Sequence, residues 1–211
     1  MINLLKTTRY YKDWWNFRKI DWKKSYLDTW NHPHRDMIVW VLGSFRWNSL
    51  IEMGCGPGPN LVKIVKEFKN KQLGGVDINA DAIKLANETI AGAYLKVGSV
   101  ENSMMSDNSA DVILTDMCLI YMDNSKIGKV LKELKRIGRS RIVLCEFHSE
   151  SLFKRLKFKR KTGYNAYNYK KLLQRYGFYD IILKKIPEEA WPGGEPQKTF
   201  GYIITAKIPR K

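Results

Sequence analysis

The residues most able to do chemistry lie in one segment, L-I-E-M-G-C-G-P-G-P-N-L at positions 50–61. Its alternate glycines, Gly54, Gly56 and Gly58, let the backbone turn tightly and approach a ligand without a Cβ in the way. A predicted strand precedes them and a predicted helix follows, so helix N–H groups would face an anionic part of the ligand. Asp77 lies 23 positions after Gly54, at the end of the next predicted strand. A carboxylate there can accept both hydroxyls of a ribose, so the segment predicts a site for a nucleoside-containing ligand.

Glu52, two residues before the first glycine, indicates the charge of that ligand. Dinucleotide sites use G-x-G-x-x-G, whereas these glycines follow G-x-G-x-G and Pro59 stands where the helix begins. A negative side chain is poorly placed beside a pyrophosphate and well placed near a cationic amino group. The residue order therefore favours a zwitterionic ligand with a sulfonium over NAD, and an NAD-dependent reductase is the least favoured interpretation.

At these residues the sequence resembles the class I S-adenosylmethionine (SAM)-dependent methyltransferases, in the broad group of small-molecule-type enzymes with E/D-x-G-x-G-x-G loops. The specific resemblance runs over 50–148, and a weaker one covers nearly the whole chain. It implies an enzyme with SAM as cofactor and no metal. It also implies contacts to the methionine half, the ribose and the adenine from Glu52, Gly54, Cys55, Gly56, Asn60, Asp77 and Ile78.

Two further segments resemble the family. Family members carry G-D-A after the third strand, and this chain has Gly98-Ser99-Val100, so Ser99 replaces the usual Asp while the backbone at Val100 still suits an adenine. The segment D-N-S-A-D-V-I-L-T-D-M-C-L-I-Y-M at 107–122 resembles the fourth-strand signature. The resemblance implies that Asp116 and Met117 line the cofactor and that Tyr121 lies close to the methyl group. Asp111, at the start of that strand, is interpreted as structural.

Methyl transfer from a sulfonium is an in-line displacement on an activated donor, so positioning and desolvation supply much of the acceleration. If the accepting oxygen or nitrogen must lose a proton, titratable side chains at strand ends and in the N-terminal segment are available. We name His148 and Tyr121 as the catalytic candidates. The other candidates are Asp116, Glu146, His32, His34, Tyr10 and Tyr11.

The elements that would position these residues alternate between strand and helix periods. Strands are predicted over 49–53, 73–78, 93–97, 111–115, 141–147, 179–185 and 202–208, and helices over 60–68, 80–90, 125–137 and 167–176. The alternation predicts an α/β fold. The fold that we expect is a doubly wound, Rossmann-like, seven-stranded and mostly parallel sheet, with an antiparallel last strand and an N-terminal helical lid. We expect a single methyltransferase domain over 1–211, with an N-terminal helical segment (1–47), a SAM-binding core (48–150) and a basic insertion, helix and β-hairpin (151–211).

Aromatic residues recur at helical spacing through the N-terminal segment, which predicts two helices between 10 and 42, broken near 31–33. This stripe is either a packing face or a lid whose rings contact the sulfonium or a planar acceptor. From such a lid, Arg35 would reach the methionine carboxylate.

The net charge of +16 is unevenly distributed. Residues 51–150 carry 13 basic and 13 acidic side chains, whereas residues 151–211 carry 15 and 4, and six of the eight residues from 154 to 161 are basic. That basic segment is a solvated face, a polyanion site or a membrane-surface helix. The charge bears on the acceptor, for which we favour an anionic small molecule. An RNA methyltransferase and a non-catalytic SAM-binding module are the alternatives, peripheral membrane contact is not favoured, and no protein partner is implied.

Two further expectations concern the compartment. No apolar run approaches the roughly 20 residues that span a bilayer, and the first residues do not resemble a signal peptide, so we expect a cytoplasmic protein. Cys55, Cys118 and Cys145 are odd in number and widely spaced, which favours reduced thiols over disulfides or a zinc site.

Overall fold

The architecture is a single seven-stranded sheet in the order β3-β2-β1-β4-β5-β7-β6. The computed structural model describes residues 7–191, 194–195 and 197–209. β7 runs antiparallel to both neighbours and the other pairs are parallel, which confirms the predicted α/β sheet. The strands are β1 (Ser49–Met53), β2 (Gln72–Asp77), β3 (Tyr94–Val97), β4 (Ala110–Asp116), β5 (Gly138–Phe147), β6 (Tyr179–Lys185) and β7 (Gly201–Lys207).

Helices cover both faces of the sheet. On one face α3, α4 and α5 contribute Ile38, Leu61 and Ile83 to a buried cluster, and on the other α6 and α8 contribute Leu131 and Leu173. The apolar run of β5 is buried on both sides for this reason. The helices are α1 (Thr8–Asn16), α2 (Trp22–Ser25), α3 (His34–Gly43), α4 (Pro59–Glu67), α5 (Ala80–Thr89), α6 (Ile127–Ile137), α7 (Leu152–Thr162), α8 (Tyr169–Arg175) and α9 (Gln197–Phe200).

Local signals explain how well the core elements were predicted. Asn79 caps α5, as predicted, because its side-chain oxygen accepts a hydrogen bond from the backbone N–H of Ala82 at 3.0 Å. Pro59 occupies the first turn of α4, where its missing N–H costs no helical hydrogen bond. The largest error in a predicted strand boundary is at β5, which begins at Gly138 instead of 141 because Gly138 pairs with Ala110.

The N-terminal segment differs from its prediction. Where one helix was expected before the break near 31–33, the structure has α1, α2 and a separate 3-10 turn, Leu27–Thr29. Asp21 causes the interruption, since its side chain accepts a hydrogen bond from the backbone N–H of Lys24 at 2.9 Å and starts a new helix. The aromatic spacing runs through this cap, so periodicity did not reveal it.

Asp111 has the structural role that was predicted. Its carboxylate accepts hydrogen bonds from the backbone N–H groups of Asn48 and Ser49 at 2.8 and 3.1 Å and from Arg139 Nε at 2.9 Å. It thereby joins the beginnings of β1, β4 and β5.

The three cysteines are free thiols, as predicted, with Cys55 and Cys145 buried. Within the described ranges, no helix is long and apolar enough to cross a membrane.

Candidate active site

A cavity opens at the carboxyl ends of β1, β2 and β4, where a doubly wound sheet binds ligands. All thirteen residues predicted to bind the cofactor line it, although their binding of a cofactor stays a prediction. They come from the glycine loop, the ends of three strands and the N-terminal helices. These residues are Arg35, Glu52, Gly54, Cys55, Gly56, Asn60, Asp77, Ile78, Ser99, Val100, Asp116, Met117 and Tyr121.

The loop between β1 and α4 needs its glycines for different reasons. Gly54 has φ +78°, and a Cβ there would collide with the side chain of Cys118. Gly56 has φ +53°, but a Cβ there would meet no atom within 4 Å, because this residue borders the cavity. Its N–H donates a 2.8 Å hydrogen bond to Asp77 Oδ2. Burial raises the pKa of Asp77, while backbone N–H groups, including those of Asn79 and Gly56, stabilise its charged form.

Behind the loop, two carboxyl groups share one amide. Asn60 Nδ2 donates to Glu52 Oε1 at 2.6 Å and to Asp116 Oδ2 at 3.0 Å. Burial raises the pKa of Glu52 to about 8. At Asp116 burial acts in the same direction, but the charge and hydrogen bond of His34, together with Arg35, outweigh it and hold the pKa below its usual value. Near neutral pH the site therefore holds one protonated and one ionised carboxyl group.

A chain of imidazoles leads from Asp116 toward solvent. His34 Nε2 lies 2.9 Å from Asp116 Oδ2, and His34 Nδ1 lies 2.6 Å from Nδ1 of the partly buried His32. Trp191 stacks on the His34 ring at 4.1 Å with 14° between the planes. Burial lowers the pKa of His32, and the neighbouring His34 and Arg35 add to this effect. The sequence named both histidines as candidates, and the structure brings them together with Asp116.

Buried polar atoms without a hydrogen-bond partner among the described residues divide around the cavity by type. At the strand ends they are oxygens: Asn60 Oδ1, Asp116 Oδ1 and Glu52 Oε2, which accepts once the Glu52 carboxyl group is ionised. The other unpartnered atoms of the lining are donors: Tyr11 Oη, Trp15 Nε1, Trp22 Nε1 and Arg35 Nε on the N-terminal side, and Trp191 Nε1 in the stretch before β7. All of these residues line the cavity. Buried polar groups are normally satisfied, so the arrangement fits a ligand with an ammonium at one side and acceptor oxygens at the other.

The methionine half of SAM has this pattern. Its ammonium would donate hydrogen bonds to the three acceptor oxygens, and its carboxylate would accept one from Arg35. Arg35 Nη1 is held by a 2.9 Å hydrogen bond to the Thr29 carbonyl. The donor set thus fits the cofactor that the sequence suggested.

The two catalytic candidates are in different places. Tyr121 lines the cavity, with its ring centroid 4.9 Å from Tyr11 and 5.4 Å from Trp15. Burial, reinforced by neighbouring groups such as Tyr164, raises its pKa well above the usual value, so the phenol stays protonated and can donate.

His148 lies outside the lining. Its Nδ1 accepts a hydrogen bond from the backbone N–H of Tyr169 at 3.2 Å, and its ring packs against Tyr202. The expectation that His148 reaches the active site is corrected by this geometry, because the pairing of its segment with Tyr167 turns it away from the cavity.

Glu146 is also absent from the lining. Its Oε1 accepts hydrogen bonds from Thr115 Oγ1 and from the backbone N–H groups of Cys118 and Leu119 at 2.8–3.1 Å. Burial raises its pKa to about 8. It shapes the loop after β4 from below the cavity.

Several lining residues have no role in the sequence interpretation, among them Trp191, Glu101 and Lys12. Trp191 is a single aromatic residue in a Pro/Gly-rich stretch before β7, and this was its only signal. Trp15, Trp22 and Tyr26 also line the cavity, so part of the aromatic stripe borders it, and its action as a lid stays a prediction.

Comparison with known proteins shows which family the cavity-bearing part of the chain resembles. Residues 50–141 match a methyltransferase domain model. The chain also shares 31% identity over 107 residues with YdaC, an uncharacterized methyltransferase of Bacillus subtilis strain 168. Residues 50–141 are therefore similar to a methyltransferase domain. The alignment with YdaC spans 49% of this chain and 59% of that relative.

Solved structures share the fold of this chain. A SAM-dependent methyltransferase from Archaeoglobus fulgidus superposes with a TM-score of 0.57 at 18% identity, covering 82% of this chain and 94% of that one. Haemonchus contortus phosphoethanolamine N-methyltransferase 2, solved with phosphomonomethylethanolamine and S-adenosylhomocysteine, gives 0.61 at 14% identity, covering 84% and 53%. At these identities the likeness shows the fold.

Proposed function

We propose that this protein is a SAM-dependent methyltransferase that transfers the methyl group to an oxygen or nitrogen atom of an anionic small molecule. The observation that carries the proposal is the division of unpartnered acceptors and donors around one cavity. SAM, when bound, supplies an activated methyl group on a sulfonium. The chain must then orient two reactants and exclude water.

The proposed placement of SAM assigns each half of the cavity a role. Glu52, Asn60 and Asp116 bind the ammonium, and Arg35 binds the carboxylate. Asp77 accepts the ribose hydroxyls, since it ends β2 beside the open face of Gly56. The adenine then lies along Ile78, Ser99 and Val100, where Ser99 Oγ already accepts from the Glu101 N–H at 3.2 Å.

The acceptor would lie among the aromatic residues of α1, α2 and the loop after β4. Tyr11, Trp15 and Tyr121 surround the methyl position and exclude water, so an accepting atom held in line with the sulfonium is desolvated.

Donors on the lid side support an anionic acceptor. Once Arg35 binds the methionine carboxylate, Lys12 is the remaining lysine or arginine among the described lining residues. It lies on α1 next to Tyr11, and the unpartnered indole N–H groups of Trp15 and Trp22 belong to the same lining. Together they suit a carboxylate or phosphate on the acceptor.

Calorimetry with SAM tests the cofactor site. Asp77→Ala should weaken SAM binding by about tenfold or more, because hydrogen bonds to a charged group contribute roughly 1.5–3 kcal/mol. Asp77 also holds the glycine loop, so Asp77→Asn, which keeps one acceptor oxygen, should retain part of the affinity. Asp81→Ala, at an exposed position of α5, is the matched control. Wild-type affinity in Asp77→Ala would remove the ribose assignment.

Labelled-methyl transfer tests the acceptor. The protein is incubated with methyl-labelled SAM and a fractionated extract, and label is counted in small-molecule, RNA, protein and lipid pools. We expect label in anionic small molecules, with transfer reduced in Lys12→Ala and unchanged in Arg9→Ala, an exposed residue of the same helix. Label in RNA instead would support the rival RNA methyltransferase, and SAM binding without transfer to any pool would support a non-catalytic module.

A further inference from the structure

The strongest feature outside the cavity is the outer face of α7, the helix that follows β5. Three large apolar side chains there are exposed to solvent: Leu152 at 61%, Phe153 at 75% and Leu156 at 57%. On an α-helix, residues four apart lie on one side, so Leu152 and Leu156 form one edge and Phe153 adjoins it. Such a patch is costly on a soluble surface unless something covers it.

The opposite side of α7 is attached to the protein. Phe158 is buried, with its ring centroid 5.2 Å from Phe147 and 4.4 Å from Phe200. Beside that buried side Arg155 Nη1 donates to the Ser149 carbonyl at 2.7 Å, and next to the leucines Lys159 Nζ donates to Asn165 Oδ1 at 2.7 Å. These contacts fix the rotation of the helix, and the apolar triad faces outward as a consequence.

Basic residues border the triad. Phe153, Lys157 and Arg160 follow the same side of the helix at intervals of four and three, and Lys154 and Lys161 lie next to them. All four of these basic residues are exposed, and the helix contains no acidic residue. The face thus combines aliphatic and aromatic side chains with concentrated positive charge.

We propose that this face of α7 binds the surface of an anionic lipid bilayer. Leu152, Phe153 and Leu156 would enter the boundary between headgroups and acyl chains, and the basic residues would contact lipid phosphates. RNA explains this face less well, because the two leucines have no ring to stack on a base and would lie against a polyanion. The proposal is independent of catalysis and does not require a spanning helix.

The position of the face gives the proposal a consequence for the cavity. Tyr164, two residues after α7, has its ring centroid 6.4 Å from Tyr11 and 5.7 Å from Tyr121, both lining residues. Binding through α7 therefore brings the cavity close to the membrane surface.

Vesicle co-sedimentation of the full chain tests the proposal. The probes are vesicles of phosphatidylcholine with about one third phosphatidylglycerol, vesicles of phosphatidylcholine alone, and a single-stranded RNA 20-mer. We expect binding to the anionic vesicles and at least about tenfold weaker binding to the neutral ones. Replacing the triad by Leu152→Ser, Phe153→Ser and Leu156→Ser should weaken vesicle binding by about tenfold or more.

Matched charge variants separate this face from the general positive charge. Lys154→Glu with Lys157→Glu should abolish vesicle binding, whereas Lys170→Glu with Lys171→Glu, the same charge change on exposed residues of α8, should leave it within about twofold. Circular dichroism and S-adenosylhomocysteine affinity confirm that each variant is folded. The proposal is overturned if wild-type protein ignores anionic vesicles or if the serine variant binds them normally. It is also overturned if the α8 control variant loses as much vesicle binding as the α7 charge variant. The same holds if the α7 charge variant loses RNA binding but keeps vesicle binding.

Discussion

Glu52 and Asp116 lie on either side of the Asn60 amide and carry opposite protonation states near neutral pH. Burial raises the pKa of Glu52 to about 8, whereas His34 and Arg35 keep Asp116 ionised. An ammonium ligand favours the ionised form of both. Under the proposed placement of SAM, ligand binding removes a proton from Glu52, which couples affinity to pH.

At pH 7 we expect S-adenosylhomocysteine binding to release a proton, and its affinity to rise as the pH increases toward 8, because less free energy is then needed to ionise Glu52. Calorimetry in two buffers of different ionisation enthalpy measures the release. Glu52→Gln should abolish it, and Glu67→Gln, an exposed position of α4, should not. Equal proton release in wild type and Glu52→Gln would contradict the role of Glu52.

At the scale of the element, substitutions in the glycine loop between β1 and α4 can distinguish effects on the stability of the protein from effects on ligand binding. Gly54, Gly56 and Gly92 all have positive φ, but their surroundings differ. A Cβ on Gly54 collides with Cys118, whereas a Cβ on Gly56 or Gly92 meets nothing within 4 Å. Of Gly56 and Gly92, only Gly56 lines the cavity.

Gly56→Ala and Gly92→Ala should each lower the free energy of unfolding by only about 1–2 kcal/mol, the usual cost of a left-handed backbone for a residue with a Cβ. Gly54→Ala should cost more, since overpacking adds about 1–3 kcal/mol. Only Gly56→Ala should keep its fold and lose SAM affinity, by about tenfold or more. Urea unfolding and calorimetry make the comparison, and wild-type SAM affinity in Gly56→Ala would show that the open side of the loop does not face the ligand.

At the scale of the whole molecule, two buried carboxyl groups make stability depend on pH. The pKa of Glu52 and that of Glu146 are both raised by burial from about 4.5 to about 8. Between these values the native state binds more protons than the unfolded state. The stability that the protonated groups contribute is therefore complete below pH 4.5 and is lost as the pH rises through 8.

We expect the unliganded protein to unfold at lower urea concentration at pH 8.5 than at pH 6.5. The pH range stops at 6.5 because His32 and His148 have lowered pKa values. Below about pH 6.5 these make the stability rise with pH, opposite to the effect of the two glutamates. Glu146→Gln keeps an acceptor oxygen for Thr115 and the two N–H groups and should reduce the pH dependence. A dependence of the same size in wild type and Glu146→Gln would rule out this cause.

The core was predictable because its signals are local. Gly54 and Gly56 need positive φ, Asn79 caps its own helix, and the period of each strand and helix is visible within ten residues. The N-terminal helices were less predictable, since the cap at Asp21 interrupts a regular aromatic pattern.

The sequence by itself determined the succession of strands and helices along the chain, the glycine loop and Asp77 at the end of β2, because steric and capping requirements within a few residues specify them. Only the tertiary structure decided that Trp191 stacks on His34, that His34 pairs with Asp116, and that His148 packs away from the cavity. These contacts join residues up to 157 positions apart, between His34 and Trp191. Sheet register and helix packing set such distances, and no local pattern encodes them.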